Sequence, residues 1–236
     1  MRNVLAIARR EIVAYFTSPI AYVVLAAFLG VIGYFFPLIL FYSQEATLEY
    51  LLSDMAFVLL LITPLLTMRL LAEEQRLGTI ELLLTSPVRD WELVAGKFLA
   101  SLAFLVSLLV VSAYTPLILF QVGNPDPGPI LTGYIGIFLL GGSLLAIGLL
   151  LSSLTQNQIV AAVLSLVIMM LLWLLSALAG ALEPPVSDVL TAMAVFEHFS
   201  DFVKGIISLK DVVFYLSLMA LALFLTTRSV ETRRWR

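Results

Sequence analysis

Nine ionisable side chains crowd one part of this sequence: Arg69, Glu73, Glu74, Arg76, Glu81, Arg89, Asp90, Glu92 and Lys97. At their centre lies EEQRLGTIELLLTSP, Glu73 to Pro87, with apolar runs on either side. Their chemistry is not that of an active site. The chain has no cysteine, so thiolate metal centres, disulfides and a cysteine nucleophile are excluded. Its single histidine, His198, has no companion ligands in the sequence, which argues against a metal site. No GxxxxGK[ST] phosphate loop is present and no soluble domain is large enough to hold a nucleotide, so the chain does not hydrolyse ATP in the P-loop manner. No catalytic residue is nominated, and the chain is expected to be no enzyme by itself.

Charges that do no bond chemistry serve recognition or positioning. Gly78 or Thr79 can cap a short helix whose first turn holds Glu81, where a carboxylate opposes the positive helix end. Pro87 limits that helix. Within it Ile80, Leu83, Leu84 and Pro87 share one face, Glu81, Thr85 and Ser86 lie away from it, and Leu82 stands among the polar group. A leucine on the wet side suits a helix that fits against a partner. A helix lying on the membrane surface with no partner accounts for the same pattern, and the two stay open.

The flanking elements follow from composition. Of 236 residues, 61% are hydrophobic and 12% charged, more apolar content than a water-soluble core requires. The mean hydropathy is +1.08. Charge-free runs cover 12–44, 55–68, 98–125, 127–182 and 212–227. A bilayer helix needs about 20 mostly apolar residues, so the longest run holds two, broken at the polar cluster SSLTQNQ, Ser152 to Gln158. Asp54 and Arg69 can lie at the two interfaces, which extends the short run to 51–71. Six spans result, near 19–42, 51–71, 95–120, 130–153, 157–182 and 210–228, in one all-α transmembrane domain, 1–236. Of the 13 Lys and Arg residues, only Lys204 and Lys210 fall on one side and the other 11 share the opposite side, which predicts both termini in the cytoplasm. Residues 72–94 then form a cytoplasmic loop, and 183–209 an external segment. Arg9 and Arg10 precede an apolar run long enough to span, so no cleaved signal is expected.

Residues 1–18 are too interrupted to span. Val4, Leu5, Ala8, Ile12 and Tyr15 share a broad face flanked by Arg9 and Arg10, which suits an interfacial helix that Pro19 turns into the first span. In the external segment Val195, Phe196, Phe199, Phe202 and Val203 are spaced for one helical face, so short external helices are expected before the last span. Pro37, Pro64 and Pro116 lie in or near spans, where packing alone tolerates proline. Gly133, Gly136, Gly141, Gly142 and Gly148 predict a fourth span packed close against its neighbours.

The stretch EEQRLGTIELLLTSPVRDWELVAGKFLA resembles the signature loop of type-2 ATP-binding cassette exporter permeases. ARREIVAYFTSPIAYVV, LTQNQIVAAVLS and FEHFSDFVKGIISLKDVVFYLSL resemble the branch that includes gliding-motility-associated and nitrous-oxide-reductase-maturation permeases. The resemblance implies a coupling helix from Gly78 through Thr79, Ile80, Glu81, Leu82, Leu83, Leu84 and Ser86 to Pro87, with Glu73 and Glu74 flanking it at the inner end of the second span. It implies a separate nucleotide-binding ATPase subunit carrying ATP and Mg, so this chain binds no cofactor. It also implies a second permease copy, as a homodimer or with a related permease, and allows an auxiliary periplasmic or membrane subunit. The setting is the inner (plasma) membrane, with the lipid bilayer as partner and no nucleic acid.

No span carries Asp, Glu, Lys, Arg or His in its apolar centre, whereas ion-coupled carriers usually bury such groups or broken-helix sites near the midplane. A path lined by uncharged and aromatic side chains suits amphiphilic, lipid-like or saccharide substrates. Three classes of function remain: a permease driven by a partner ATPase, an ion-coupled carrier, and a membrane scaffold or force transmitter without solute.

Overall fold

The computed structural model describes residues 2–78 and 88–234. The described residues form helices without strands: α1 (Arg2–Thr17), α2 (Pro19–Ser43), α3 (Glu49–Thr67), α4 (Ala72–Arg76), α5 (Asp90–Ser112), α6 (Tyr114–Val122), α7 (Pro127–Leu154), α8 (Gln158–Ala179), α9 (Val186–Met193), α10 (Glu197–Val203) and α11 (Leu209–Arg234). Six stretches are long and apolar enough to cross a membrane: Pro19–Ser43, Glu49–Arg76, Asp90–Val122, Pro127–Leu154, Gln158–Ala179 and Leu209–Thr232. The six-span, all-α architecture is therefore as expected, with α1 outside the spans and α9 and α10 before the last one.

Local chemistry sets the helix starts. Pro19 and Pro127 occupy first-turn positions, where a missing N–H costs nothing. Asp126 and Asn157 cap α7 and α8 by accepting from Gly128 N and Ile159 N, both at 2.9 Å. The break between α7 and α8 falls at 155–157, inside the polar cluster. The third span is two helices, α5 and α6, meeting at Ala113. Pro116 has no N–H to give the Ser112 carbonyl four residues earlier. That carbonyl instead accepts from Thr115 Oγ1 at 3.0 Å and Tyr134 Oη at 3.1 Å.

The spans bury themselves unequally. α7 is enclosed, with Ile137, Leu140, Leu144, Ala146 and Leu149 wholly or almost wholly buried, whereas α2 and α8 leave most of their apolar surface outward, as a bilayer allows. Glycine makes the enclosure possible: a methyl at Gly148 would overlap the Thr67 side chain of α3, and one at Gly136 would lie 2.6 Å from Phe202 Cβ. Lipid offers no hydrophobic reward for helix contact, so this close fit supplies the attraction.

α1 departs in detail from the face expected of it. Val4, Ile7 and Ala8 are buried, and a methyl at Gly96 of α5 would lie 2.7 Å from Ile7 Cγ2, so α1 rests on protein along that side. Leu5 is 66% exposed and turns the other way with Val13 and Phe16. The helix thus has two apolar stripes, one packed on protein and the other exposed.

Candidate functional site

Arg69, Glu73, Glu74 and Lys97 of the charged region meet at one end of the bundle, around the five-residue helix α4. Its carboxylates are Glu73 and Glu74, and their partners come from α1, α5 and the turn between α3 and α4. Lys97, near the start of α5, is 1% exposed, and its Nζ lies 2.8 Å from Glu74 Oε1 and 3.2 Å from Glu11 Oε1 of α1. Arg10 reaches the same two carboxylates at 3.3 and 2.8 Å. Arg69 bonds Glu73 Oε2 at 3.1 Å and Ser18 Oγ, between α1 and α2, at 3.0 Å.

A buried ammonium is tolerable only where carboxylates neutralise it and accept its hydrogens. Here they come from different elements, so satisfying Lys97 fixes α1 against α4 and α5 together. Burial pushes the Glu11 carboxyl up, but the Lys97 charge and the Arg10 hydrogen bond outweigh it and hold the group below its ordinary range. Beside it, burial drives the Tyr15 hydroxyl well above its ordinary value, and that hydroxyl donates to Leu66 O of α3 at 3.1 Å. A cavity of about 210 Å³ remains between these charges, walled on its apolar side by Leu70 and Leu77.

Backbone chemistry ties α4 to the fourth span. Turning the chain from α3 into α4 leaves early N–H groups without intrahelical partners. Ser152 Oγ of α7 accepts from Leu71 N at 3.1 Å and Ala72 N at 3.0 Å, and donates to Met68 O at 3.3 Å. Gln75 Nε2 adds a bond to Ser153 O at 3.0 Å. Across the charged region, Glu92 accepts from Arg89 N at 3.0 Å and Asn3 Nδ2 at 3.1 Å, joining the start of α5 to the start of α1.

Of the expected coupling residues, Glu73 and Glu74 lie in this junction, and Gly78 ends its described part at a positive φ of 69°, a conformation that glycine adopts without strain. Thr79, Ile80, Glu81, Leu82, Leu83, Leu84, Ser86 and Pro87 lie outside the described residues. Glu11, Gln75 and Ser152 were not expected here. Glu11 follows two arginines and looks like part of a solvated run, and Ser152 belongs to a cluster whose evident role is to break the long apolar stretch. A carboxylate beside the broad apolar face of α1 is the one signal that could have pointed to Glu11.

A family model described as ABC-2 family transporter protein matches residues 34–227. The chain belongs to the ABC-2 transporter family. Two relatives, each described as a probable multidrug ABC transporter permease YbhR, from Escherichia coli K12 and Escherichia coli O157:H7, are 33% identical over 147 residues. Those residues are 59% of this chain and 38% of each relative, so this ABC-2 chain matches less than half the length of the curated relatives.

Proposed function

We propose that this chain is the membrane permease of an ATP-binding cassette exporter, driven by a separate nucleotide-binding subunit that docks on Gly78 to Pro87. The observation that carries this reading is the buried Lys97, whose carboxylate partners Glu11 and Glu74 fasten both flanks of that segment to the bundle. A push entering between Leu77 and Val88 would meet flanks that are both held to the bundle. It would pass into α1, α5 and α7 as a rigid-body displacement, the kind of motion by which packed helices rearrange about an interface.

In this reading Leu82 seats in an apolar groove on the ATPase, and Glu73 and Glu74 hold the base of the coupling helix. Two such permeases form the transport unit, as a homodimer or with a related permease, in the inner membrane with both termini cytoplasmic. The cargo class is amphiphilic, lipid-like or saccharide, in keeping with spans free of central charge and with the multidrug description of the relatives.

The test is recovery of the ATP-binding subunit in a pull-down with wild-type, Leu82→Asp and Glu81→Gln permease, each checked for membrane insertion. Leu82→Asp should abolish recovery, since an unpaired charge in an apolar groove costs several kcal/mol. Glu81→Gln should lose only about 0.3 to 1 kcal/mol, the worth of an exposed first-turn carboxylate. Unchanged recovery with Leu82→Asp would refute the docking.

A further inference from the structure

His198 and Asp211 form a buried pair at the end of the bundle opposite α4, outside the charged junction. His198 Nδ1 stands 2.5 Å from Asp211 Oδ1, with the side chains 6% and 5% exposed. The other ring nitrogen, Nε2, faces the Ala192 carbonyl at 3.3 Å. A neutral imidazole carries one N–H and one lone pair. Both nitrogens here face oxygen, so an ionised carboxylate and a neutral ring together lack one hydrogen for the two contacts. One additional proton, on the ring or on the carboxyl group, completes both.

The surroundings supply few other partners. Asp211 Oδ2 is buried without a hydrogen-bond partner among the described residues, so a full negative charge there is poorly compensated. Phe214 stacks on the imidazole at 3.9 Å between centroids and 24° between planes, an arrangement that suits a cationic ring. Of the titratable groups on the elements packed around α10, only Asp211 bonds the ring. Tyr215 of α11 meets it edge-on at 6.5 Å, with its hydroxyl donated to Val195 O at 2.8 Å. The others near this end of the bundle are Lys210 of α11, Asp188 of α9, Tyr134 of α7, Glu49, Tyr50 and Asp54 of α3, Glu197 and Asp201 of α10 itself, and Lys204 at its C-terminal cap.

The pair holds together three pieces of chain: the end of α9 through Ala192, α10 through His198 and the first turn of α11 through Asp211. Thr132 of α7 adds a bond to Phe202 O at 2.7 Å. We propose that His198 and Asp211 are a proton-held clasp that fastens the α9–α10 segment across the fourth and last spans, and that loss of the shared proton loosens the segment. With the proton gone, a ring lone pair faces either the carboxylate or the Ala192 carbonyl. The clasp is closed at lower pH and opens as pH rises.

The chain's composition makes the test direct, because it contains no cysteine and one histidine. A single reporter, Ala194→Cys, replaces a residue that is 0% exposed, and Val189→Cys, at a position 58% exposed, serves as reference. Full-length protein in detergent micelles is labelled with a maleimide from pH 6 to 9, and the ratio of the two rates removes the thiol's own pH dependence. The ratio should rise about tenfold, the scale set by losing one charge-assisted hydrogen bond. In the Asp211→Asn background an amide N–H can serve Nδ1 while Nε2–H serves Ala192, so the ratio should stay low and flat. A flat ratio in the parent, or an equal rise with Asp211→Asn, overturns the clasp. Nitrogen NMR of the unaltered chain gives an independent check: the lone histidine ring signal should move over the same range, and a ring signal constant from pH 6 to 9 also overturns it.

Discussion

Replacing Lys97 by methionine keeps the length and apolar stem of the side chain and removes only the charge. Lys97 is 1% exposed, and the two carboxylates it serves are 15% exposed, so neither is free to recover full hydration. Breaking a buried pair by removing one partner costs about 3 to 5 kcal/mol. Arg10 still reaches both acids but is itself 55% exposed, which puts the expected loss at the lower end, about 3 kcal/mol. For a chain of this size that is a fall in midpoint of roughly 6 to 12 °C. Thermal unfolding of purified protein in one detergent, followed by circular dichroism, reads the shift. Adding Glu11→Gln and Glu74→Gln to Lys97→Met should restore most of it, because the uncompensated charges go with the cation. A shift below about 3 °C for Lys97→Met alone, or no recovery in the triple variant, would refute the view that this ammonium fastens the junction.

Other expectations rest on the same contacts. Ser152→Ala should leave the Leu71 and Ala72 amides short of an acceptor and cost about 1 to 3 kcal/mol, with faster hydrogen exchange confined to 68–76. Gly148→Ala should lower stability by about 1 to 3 kcal/mol through overlap with Thr67, measured by the same melts, while Gly30→Ala, with open space around it, should be close to neutral. Because the Glu11 carboxyl is held below its usual range, its contribution is complete above pH 4.5 and is lost as pH falls through the lowered value. Exchange protection of α1 should therefore fall on the acid side, and Glu11→Gln should flatten that fall. Cysteines placed at 45 and 126 should label from outside the cell, and labelling from the cytoplasm alone would reject the proposed orientation.

Element type and order were legible because the bilayer imposes so simple a condition. A run such as 127–182, without one charge, had to cross twice, and SSLTQNQ was the only polar place to turn. The fourth span's glycines announced close packing, and the structure places Thr67 and Phe202 against them. The charged junction was legible only in half. Glu73 and Glu74 stood out because they interrupt an apolar chain, but their partners come from residues 11 and 97, and no local pattern specifies which distant cation meets which acid. Ser152 was hidden for a different reason: a hydroxyl accepting two amide hydrogens has no periodicity to reveal it. His198 was misleading in isolation, since the residue that completes it, Asp211, lies 13 positions away at the start of another helix.

The two ends of the bundle are joined by one uninterrupted rod. α7 carries Ser152 at the α4 junction and Thr132 beside Phe202 at the other end, 20 helical residues or about 30 Å apart. The third span is instead cut at Ala113, where the Ser112 carbonyl already has side-chain donors and α6 can change its tilt without stranding a backbone group. An axial displacement of α7 would therefore carry from one end of the bundle to the other, while one delivered to α5 through Lys97 would travel the 23 residues of α5 as a rigid body and meet a joint at Ala113 before α6. The two crossings that meet at α4 thus differ as a piston differs from a jointed arm.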